Sequence, residues 1–400
     1  MRTVRWIAPL VAAAAVVAAV TAGCKKKQDV PAPVKAVDAA VKDISTGAGP
    51  APRPLVELGE PVSADPDGAA GEPALAVGRD GKPLLAWIEA GKVHVRRWSG
   101  TAWDVLAAPP NAATHRATGA PSLAVEADGG VVVGWLEANP KDVAMLEVAR
   151  WRDGAWTQLG VLGGGQPVAD PIVTSSALGP IAVWREALVA GGPVVVNVRV
   201  HGGNGWAPLG DGVLRGGPDG TTLAAPALGT SGAHVIVGWV ERSPVPVTQL
   251  RRWDAATSAW TTVPGPEGAD NDSTLALAVA PDGVITVSLS FHAGLRQLVT
   301  RAPGAEVWKK IDVAELSNGF VTRQRLIAAE DGRAIFTYPY GGRFAWWDGK
   351  VWFATPVPVV GPSTVVPAAA AGPGGVVYVG WSAARPGGTA KVRVVEVKQQ

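Results

Sequence analysis

Four glutamates recur at a fixed sequence separation from a tryptophan. Carboxylates placed in this regular way could bind a ligand or catalyse a reaction. Glu89, Glu137, Glu186 and Glu241 each stand two positions after a tryptophan, in a strand-like apolar run. Side chains two positions apart lie on one face of a strand, so each tryptophan and its glutamate should point the same way. Carboxylates that converge from several strands could bind a cation or a sugar. A pair roughly 5–10 Å apart could hydrolyse a glycosidic bond.

A second interpretation makes the same glutamates structural. Each copy also carries an arginine near the end of the following apolar run, at Arg97, Arg150, Arg199 and Arg252. Consecutive strands of a hairpin pair with each other, and charges that recur in every repeat usually stabilise the repeat. We therefore favour a Glu–Arg ion pair inside each copy over a ring of binding carboxylates.

The glutamates belong to a repeat of four short strands, most clearly written in residues 121–160. The chain is rich in turn formers, with 50 glycines and 34 prolines, and Asp-Gly pairs such as Asp80-Gly81 and Asp128-Gly129 predict tight turns between strands. The fourth strand carries a tryptophan in six copies, spaced by 53, 50, 54, 48 and 44 residues: Trp103, Trp156, Trp206, Trp260, Trp308 and Trp352. This spacing is typical of propeller blades. The sequence predicts an all-β fold, a single β-propeller of four-stranded blades with tryptophans packed between them.

We count seven copies, although six or eight remain open if a degenerate copy is misread. They occupy approximately residues 73–109, 121–162, 170–211, 225–264, 274–313, 325–357 and 366–397. The last copy stops after its third strand, whereas residues 55–62 form an orphan strand before the first. Leu58-Gly59 matches Leu159-Gly160 at the end of the second copy. We therefore expect the N-terminal strand to close the ring by pairing with the C-terminal blade, which removes an open sheet edge.

The N-terminus has the order of an export signal. Arg2 and Arg5 precede an apolar run, and small residues stand directly before Cys24, the only cysteine. We expect residues 1–23 to be a signal peptide, residues 24–54 a flexible linker and residues 55–400 the propeller. Without residues 1–23 the chain carries 34 basic and 34 acidic residues. This neutral balance gives no reason to expect a nucleic-acid partner.

Two resemblances extend this interpretation. The residues before Cys24 resemble the lipobox of bacterial lipoproteins, although Thr21 stands where leucine is usual. That resemblance implies that Cys24 is acylated and anchors the propeller in the cell envelope, and Lys25 mildly favours the outer membrane. Residues 55–397 resemble bacterial propellers of the sialidase-like, kelch-like and tryptophan-repeat lectin groups. The sialidase Asp-box and catalytic residues have no counterpart here, so no catalytic residue is carried over.

Other site chemistries lack the necessary spacing. The five histidines show no metal-ligand pattern, and the chain has neither a phosphate-binding loop nor a nucleophile elbow. Asp65, Asp67 and Glu72, or Asp270 with Asp272, could offer oxygens to calcium. They lack the spacing of a calcium loop, so we interpret them as solvated loop acids and expect no metal or cofactor.

These observations lead to two hypotheses about function. The first is a monomeric, lipid-anchored and non-catalytic propeller that presents its loops to a protein or glycan partner outside the cytoplasm. The alternative is an exported, sialidase-like glycoside hydrolase or lyase with carboxylates at the mouth of the channel. The arrangement of the four glutamates separates the two.

Overall fold

A computed structural model describes residues 55–65, 67–110, 115–138, 143–214, 221–242, 245–290, 296–311, 324–329, 331–338, 343–347, 352–356, 367–384 and 388–397. The expected signal peptide, Cys24 and the linker lie outside these residues. Within the described part of the chain, no helix has both the length and the hydropathy needed to cross a membrane.

Short runs rich in valine, isoleucine, leucine and tryptophan form the strands, because branched and aromatic side chains pack well on a pleated surface. The first thirteen strands are β1 (Leu55–Glu57), β2 (Ala74–Val77), β3 (Pro83–Glu89), β4 (Lys92–Trp98), β5 (Trp103–Leu106), β6 (Arg116–Val125), β7 (Val131–Ala138), β8 (Ala144–Arg152), β9 (Ala155–Leu162), β10 (Ala169–Ser176), β11 (Gly179–Ala187), β12 (Val194–Gly202) and β13 (Gly205–Leu214). The others are β14 (Ala227–Ser231), β15 (His234–Glu241), β16 (Val247–Asp254), β17 (Ala259–Pro264), β18 (Thr274–Val279), β19 (Ile285–Ser290), β20 (Arg296–Arg301), β21 (Lys309–Ile311), β22 (Arg325–Ala328), β23 (Ala334–Tyr338), β24 (Arg343–Trp347), β25 (Trp352–Pro356), β26 (Ala368–Ala371), β27 (Val377–Ala384) and β28 (Ala390–Val397).

In the described part of the chain these strands form seven four-stranded antiparallel sheets. Sheets 1 to 6 each take four consecutive strands, from β2–β5 in sheet 1 to β22–β25 in sheet 6. Sheet 7 takes β26, β27 and β28, and its fourth strand is β1. Leu55 lies opposite Val397, and Val62 forms a further bridge with Val392. The fold is an all-β propeller of four-stranded antiparallel blades, as the repeat predicts.

Apolar clusters fill the junctions between neighbouring sheets. Trp239 of sheet 4, for example, packs with Ile181 and Val183 of sheet 3. Residues of sheets 7 and 1 share a cluster in the same way, with Trp87 and Tyr378 among its members. The second-strand tryptophans are at most 2% exposed: Trp87, Trp135, Trp184, Trp239 and Trp381. Their predicted role as packing between blades is confirmed.

Glycines are required at two kinds of position. The predicted Asp-Gly turns place Gly81 at φ 75° and Gly129 at φ 94°, a region that other residues rarely adopt. Gly210 lies within β13, the fourth strand of sheet 3, where an added Cβ would lie 2.9 Å from the ring of Trp253. Gly59 occupies the equivalent place before Trp98, at 3.1 Å. The match between residues 55–62 and the fourth strands therefore has a steric basis.

Candidate functional site

The four glutamates lie at the ends of the second strands β3, β7, β11 and β15, and each accepts a hydrogen bond from its own tryptophan. The indole Nε1 donates across 2.7 Å to Glu89, 3.3 Å to Glu137, 2.9 Å to Glu186 and 3.2 Å to Glu241. All four side chains are buried, with 1% to 6% of their surface exposed. Each tryptophan and its glutamate share one strand face, as predicted, and the indole N–H partly compensates a buried charge.

The predicted Glu–Arg ion pairs are wrong. The arginines have other partners: Arg97 pairs with Asp80 at 2.9 Å, Arg150 with Glu126 at 2.6 Å, and Arg252 contacts Nδ1 of His234 at 3.5 Å. Strand direction explains the error. The third strand runs back along the second, so Arg97 lies opposite Leu84 near the start of β3, whereas Glu89 ends that strand. About five residues at 3.3 Å each separate the two groups along the strand.

Glu89 instead holds the connection that enters its own sheet. Its carboxylate accepts hydrogen bonds from the hydroxyl of Ser63 at 2.6 Å and from the backbone N–H groups of Ala64 at 2.8 Å and Asp65 at 3.1 Å. Burial acts to raise the pKa of Glu89, but these donors together with Trp87 hold it below its usual value. The side chain is therefore an ionised anchor for a loop.

Glu186 has the same role two sheets further on. It accepts hydrogen bonds from the backbone N–H groups of Gly164 and, at 3.4 Å, of Gln166, both in the connection from β9 to β10. Glu241 accepts from the side chain of Gln249 at 3.2 Å, and Nδ1 of His115 lies 4.0 Å from Glu137. The four carboxylates therefore belong to four different sheets, and the hydrogen bonds described here join each of them to groups in or near its own sheet.

Sheet 2 holds a second buried carboxyl that the sequence pattern did not reveal. Glu147 of β8 lies directly opposite Trp135, is 8% exposed and accepts a hydrogen bond from the side chain of Gln158. Burial, and then the nearby charge of Glu137, raise the pKa of Glu147 from 4.5 to about 7. The signal that could have found it is the hairpin register, because this position holds Asn197, Gln249 or Gln297 in other sheets.

Sheet 5 lacks the tryptophan and the glutamate of the second strand. Gln324, from the connection between β21 and β22, forms the corresponding hydrogen bonds to this sheet. The Oε1 atom of Gln324 accepts hydrogen bonds from the hydroxyls of Ser288 at 2.8 Å and Ser290 at 2.7 Å. Its Nε2 donates to the carbonyl oxygens of Thr274 at 2.9 Å and Ser288 at 3.0 Å. The loss of the second-strand tryptophan from residues 274–313 is visible in the sequence, but its replacement lies about 35 residues downstream and was missed.

An axial cavity of about 380 Å³ is lined by first-strand residues of every sheet. Prolines recur in or directly before these strands: Pro73, Pro226 and Pro367 directly precede the first paired residue, whereas Pro121 and Pro171 lie at pairing irregularities inside β6 and β10. A proline carries no N–H, so it suits an unpaired inner edge and discourages further strand pairing. None of the four glutamates is among the described residues that line the cavity. The predicted carboxylate ring around the channel is therefore not formed by them.

Two charged residues, Asp170 and Arg325, are among the described residues that line this cavity. Asp170 has φ 49° and lies at an irregularity in the pairing of β10 with β11. Two N–H groups of Arg185 donate to its carboxylate. Arg325 belongs to β22, and its Nη1 lies 3.4 Å from the carbonyl oxygen of Pro73, with Nη2 4.0 Å from Glu72.

Exposed aliphatic side chains gather on two loops at one end of sheets 3 and 4. Leu188, Val189 and Val245 lie in the connections from β11 to β12 and from β15 to β16, and Val194 and Val247 are the first residues of β12 and β16; their exposures are 40%, 61%, 69%, 37% and 44%. We call these five residues the loop patch. They account for most of the large apolar side chains that are exposed in the described chain.

The acidic loops considered for calcium form local turns. Oδ1 of Asp65 accepts the backbone N–H of Asp67 at 3.0 Å, and Oδ1 of Asp270 accepts that of Asp272 at the same distance. In the residues that the structure describes, no cluster of three or more His, Cys, Asp or Glu side chains could hold a metal ion.

No protein-family model and no curated protein matches the chain, whereas solved structures do. A protein of unknown function from Dyadobacter fermentans is 13% identical over 86% of this chain and 99% of its own, with a TM-score of 0.50. The mitotic checkpoint complex provides a chain of 13% identity and TM-score 0.49, covering 86% of this chain and 93% of that one. A fucose-specific lectin from Aleuria aurantia is 12% identical, with a TM-score of 0.46 over 72% of this chain and 95% of its own. Identities this low concern the fold alone.

Proposed function

We propose that this protein is a non-catalytic binding scaffold, tethered by an acylated Cys24 to the bacterial cell envelope with its propeller outside the cytoplasm. The observation that carries the proposal is the loop patch, where five aliphatic side chains face solvent on two adjacent loops. Large apolar side chains that are exposed at the same end of two sheets are typical of surfaces that contact other macromolecules. Binding residues commonly sit on loops that a rigid sheet framework positions.

The framework behind this patch is proposed to be a closed ring of seven blades. In support, β1 pairs with β28, and the apolar cluster between sheets 7 and 1 resembles the clusters at the other junctions. The axial cavity also takes residues from the first strand of each of the seven sheets. Such closure gives β28 a partner on its outer side, so the edge of that strand is not available for pairing with another molecule.

The chemistry of the patch favours a protein over a glycan as the partner. Its side chains are valine and leucine, which offer no hydrogen bonds to sugar hydroxyls but pack well against apolar protein side chains. The glutamates of the Trp-x-Glu repeat accept hydrogen bonds from their tryptophans. Glu89 and Glu186 also accept hydrogen bonds from backbone N–H groups of the connecting loops. The proposed partner is therefore an envelope protein that covers the loops of sheets 3 and 4.

This proposal is tested by capture from an envelope extract with the purified full-length protein as bait. The double variant Val189→Asp, Val245→Asp should lose the captured partner, because two charges would be buried in an apolar contact. The matched control is Val105→Asp, Val307→Asp, which alters residues of similar exposure (69% and 76%) outside the patch. If both double variants capture the same proteins as the wild type, or if binding is found only on a glycan array, the patch is not the binding surface.

The tether makes a separate prediction. Cys24→Ser should abolish acylation and move the protein from the membrane fraction to the soluble fraction, because the acyl chains on Cys24 would be its only proposed anchor. Stable anchoring requires more than one such chain, so partial acylation should also weaken the attachment. Fractionation and mass spectrometry of the N-terminus measure both effects. A variant that stays in the membrane with residues 1–23 attached would refute lipid anchoring through Cys24.

The alternative of an exported glycoside hydrolase draws on one observation, the acid pair of Glu137 and Glu147. A carboxyl whose pKa is raised to about 7 beside a second carboxyl is the arrangement that general acid catalysis uses. Both side chains are, however, at most 8% exposed, and neither is among the described residues that line the axial cavity. Hydrolysis of sialosides or other glycosides that is lost in Glu147→Gln would favour this alternative over the scaffold.

A further inference from the structure

Sheet 7 carries the second-strand tryptophan of the repeat without its glutamate. Trp381 occupies in β27 the place that the tryptophans of sheets 1 to 4 occupy in their second strands, and it is 1% exposed. Two positions later, where those sheets have a glutamate, β27 has Ala383. Alanine is shorter than glutamate by one methylene and one carboxylate group, which together have the size of an acetate ion. The place therefore lacks both a charge and a hydrogen-bond acceptor.

The missing glutamate leaves the indole N–H of Trp381 without an acceptor. Its Nε1 atom is buried and has no hydrogen-bond partner among the residues that the structure describes. The tryptophans of sheets 1 to 4 instead donate to their own glutamates across 2.7 to 3.3 Å. A buried donor without an acceptor costs free energy, and an acceptor that reaches it recovers that cost. Trp381 therefore favours the binding of an acceptor.

Neighbouring segments do not replace the lost carboxylate. Sheet 5 shows what such a replacement looks like, because Gln324 supplies an oxygen to Ser288 and Ser290 there. For Trp381 no side chain of the described chain takes this role. The sequence segments that adjoin sheets 6 and 7 also contain no aspartate or glutamate, namely residues 339–342, 357–367 and 385–389.

The charges on this face of sheet 7 are positive. Lys391 of β28 lies directly opposite Ala383, and residues opposite each other in antiparallel strands share a face. Lys391 is partly buried and forms no ion pair with the acids of the described chain. Arg393 lies opposite Trp381 in the same way, but it is paired with Glu57 of β1 at 2.8 Å. An anion beside Ala383 would therefore have Lys391 as its counter-ion.

The size and exposure of the place limit what can bind there. Ala383 is partly exposed, so a small ion can approach it from solvent. The glutamates of sheets 1 to 4 are only 1% to 6% exposed, so a ligand in the equivalent position would be largely enclosed. A carboxylate provides the planar oxygen acceptors and the negative charge of the glutamate that it replaces.

We propose that sheet 7 binds a small carboxylate, of the size of acetate, at the place that a glutamate side chain occupies in sheets 1 to 4. One carboxylate oxygen accepts the indole N–H of Trp381, and Lys391 balances the charge, so recognition combines a hydrogen bond with an ion pair. The bound ion completes the junction with sheet 6, where Trp381 packs with Ala329 and Ile335. This site is separate from the loop patch and does not depend on the scaffold role.

The experiment is titration of the purified, isotopically labelled protein with acetate at constant ionic strength, followed by NMR spectroscopy of the indole N–H groups. The signal of Trp381, identified by its loss in Trp381→Phe, should move with a Kd in the millimolar range. The signal of Trp87 should stay in place, because its N–H already donates to Glu89. Acetamide has the same size and no charge, and it should bind at least about tenfold more weakly.

Two variants and a matched control locate the site. Ala383→Glu supplies the carboxylate from within the chain, so its Trp381 signal should stand near the acetate-bound position and no longer respond to acetate. Lys391→Gln should weaken acetate binding by about 3- to 10-fold. Lys92→Gln is the control, because Lys92 lies opposite Glu89 in sheet 1, where the carboxylate is already present. This control should bind acetate like the wild type.

Three results would each overturn the proposal. They are a Trp381 signal that stays in place up to about 100 mM acetate, an equal response to acetamide or chloride, and an acetate response that persists in Ala383→Glu. Melting temperatures identify a variant that has failed to fold. If Ala383→Glu is unstable, the comparison of Lys391→Gln with Lys92→Gln decides, and equal acetate binding by these two variants overturns the proposal.

Discussion

Replacing Trp239 with alanine is expected to lower the free energy of unfolding by about 3–5 kcal/mol. The side chain is fully buried and packs with Ile181 and Val183 of the neighbouring sheet, so its removal leaves a cavity at the junction between two sheets. The indole also donates to Glu241 at 3.2 Å, and truncation removes that donor from a buried carboxylate. Urea denaturation followed by circular dichroism measures the loss.

Two further variants separate the contributions to this effect. Trp239→Phe keeps an aromatic ring but removes the N–H donor and part of the apolar volume, so its cost should be about 1–3 kcal/mol, smaller than that of the alanine variant. Trp308→Ala serves as the matched truncation at the rim, because this tryptophan is only partly buried and donates to the carbonyl oxygen of Pro264 at 2.8 Å. A loss below about 1 kcal/mol in Trp239→Ala would contradict the role of the second-strand tryptophans as the packing between sheets.

Glu147→Gln is expected to stabilise the protein at pH 8 and to have little effect at pH 4. The pKa of Glu147 is raised from 4.5 to about 7 by burial and by Glu137, so between these values the folded chain holds a proton that the unfolded chain has released. The stability linked to this group is therefore complete below pH 4.5 and is lost as the pH rises through about 7. A neutral amide does not titrate, so the variant should gain on the order of 2–3 kcal/mol over the wild type at pH 8.

The measurement is the urea midpoint of wild type and variant at pH 4, 6 and 8. Glu267→Gln is the control, because Glu267 is exposed and lies outside this pair. The substitution has a precedent within the chain, since Gln249 and Gln297 occupy the equivalent place in sheets 4 and 5. A stability difference that is the same at all three pH values would show that Glu147 does not titrate in this range.

Much of the fold could be predicted because tryptophan, a large and rare residue, marks equivalent positions of the repeat. Tryptophans at two strand positions gave the strand order, and an unmatched run at residues 55–62 identified the strand that pairs with β28. Turn glycines were recognisable for the same reason, since the positive φ of Gly81 or Gly129 limits which residue can stand there. These features follow from local geometry, which sequence spacing encodes directly.

The chemistry of the site was harder to predict because it depends on register and on contacts between distant segments. Glu89 and Arg97 have complementary charges and a regular spacing, but the antiparallel register separates them. The partner of Glu89 is a loop that begins about 25 residues earlier. Nearly every residue has a backbone N–H group, so such a donor cannot be recognised from the residue types. Glu147 was missed for a related reason. Its importance comes from what the equivalent position holds in other sheets, which becomes visible only after the strands are aligned.

The pairing of β1 with β28 has a consequence for how the chain folds. Leu55 and Val397 meet across 342 positions of sequence, so a contact that completes sheet 7 carries a large loop-closure entropy. During synthesis β1 emerges early and has no partner until β28 follows it. The edge of β1 is then open to pairing with other chains for the whole of that interval. The slowest and most aggregation-prone step of folding should therefore be the meeting of the two ends, and chaperone assistance would act there.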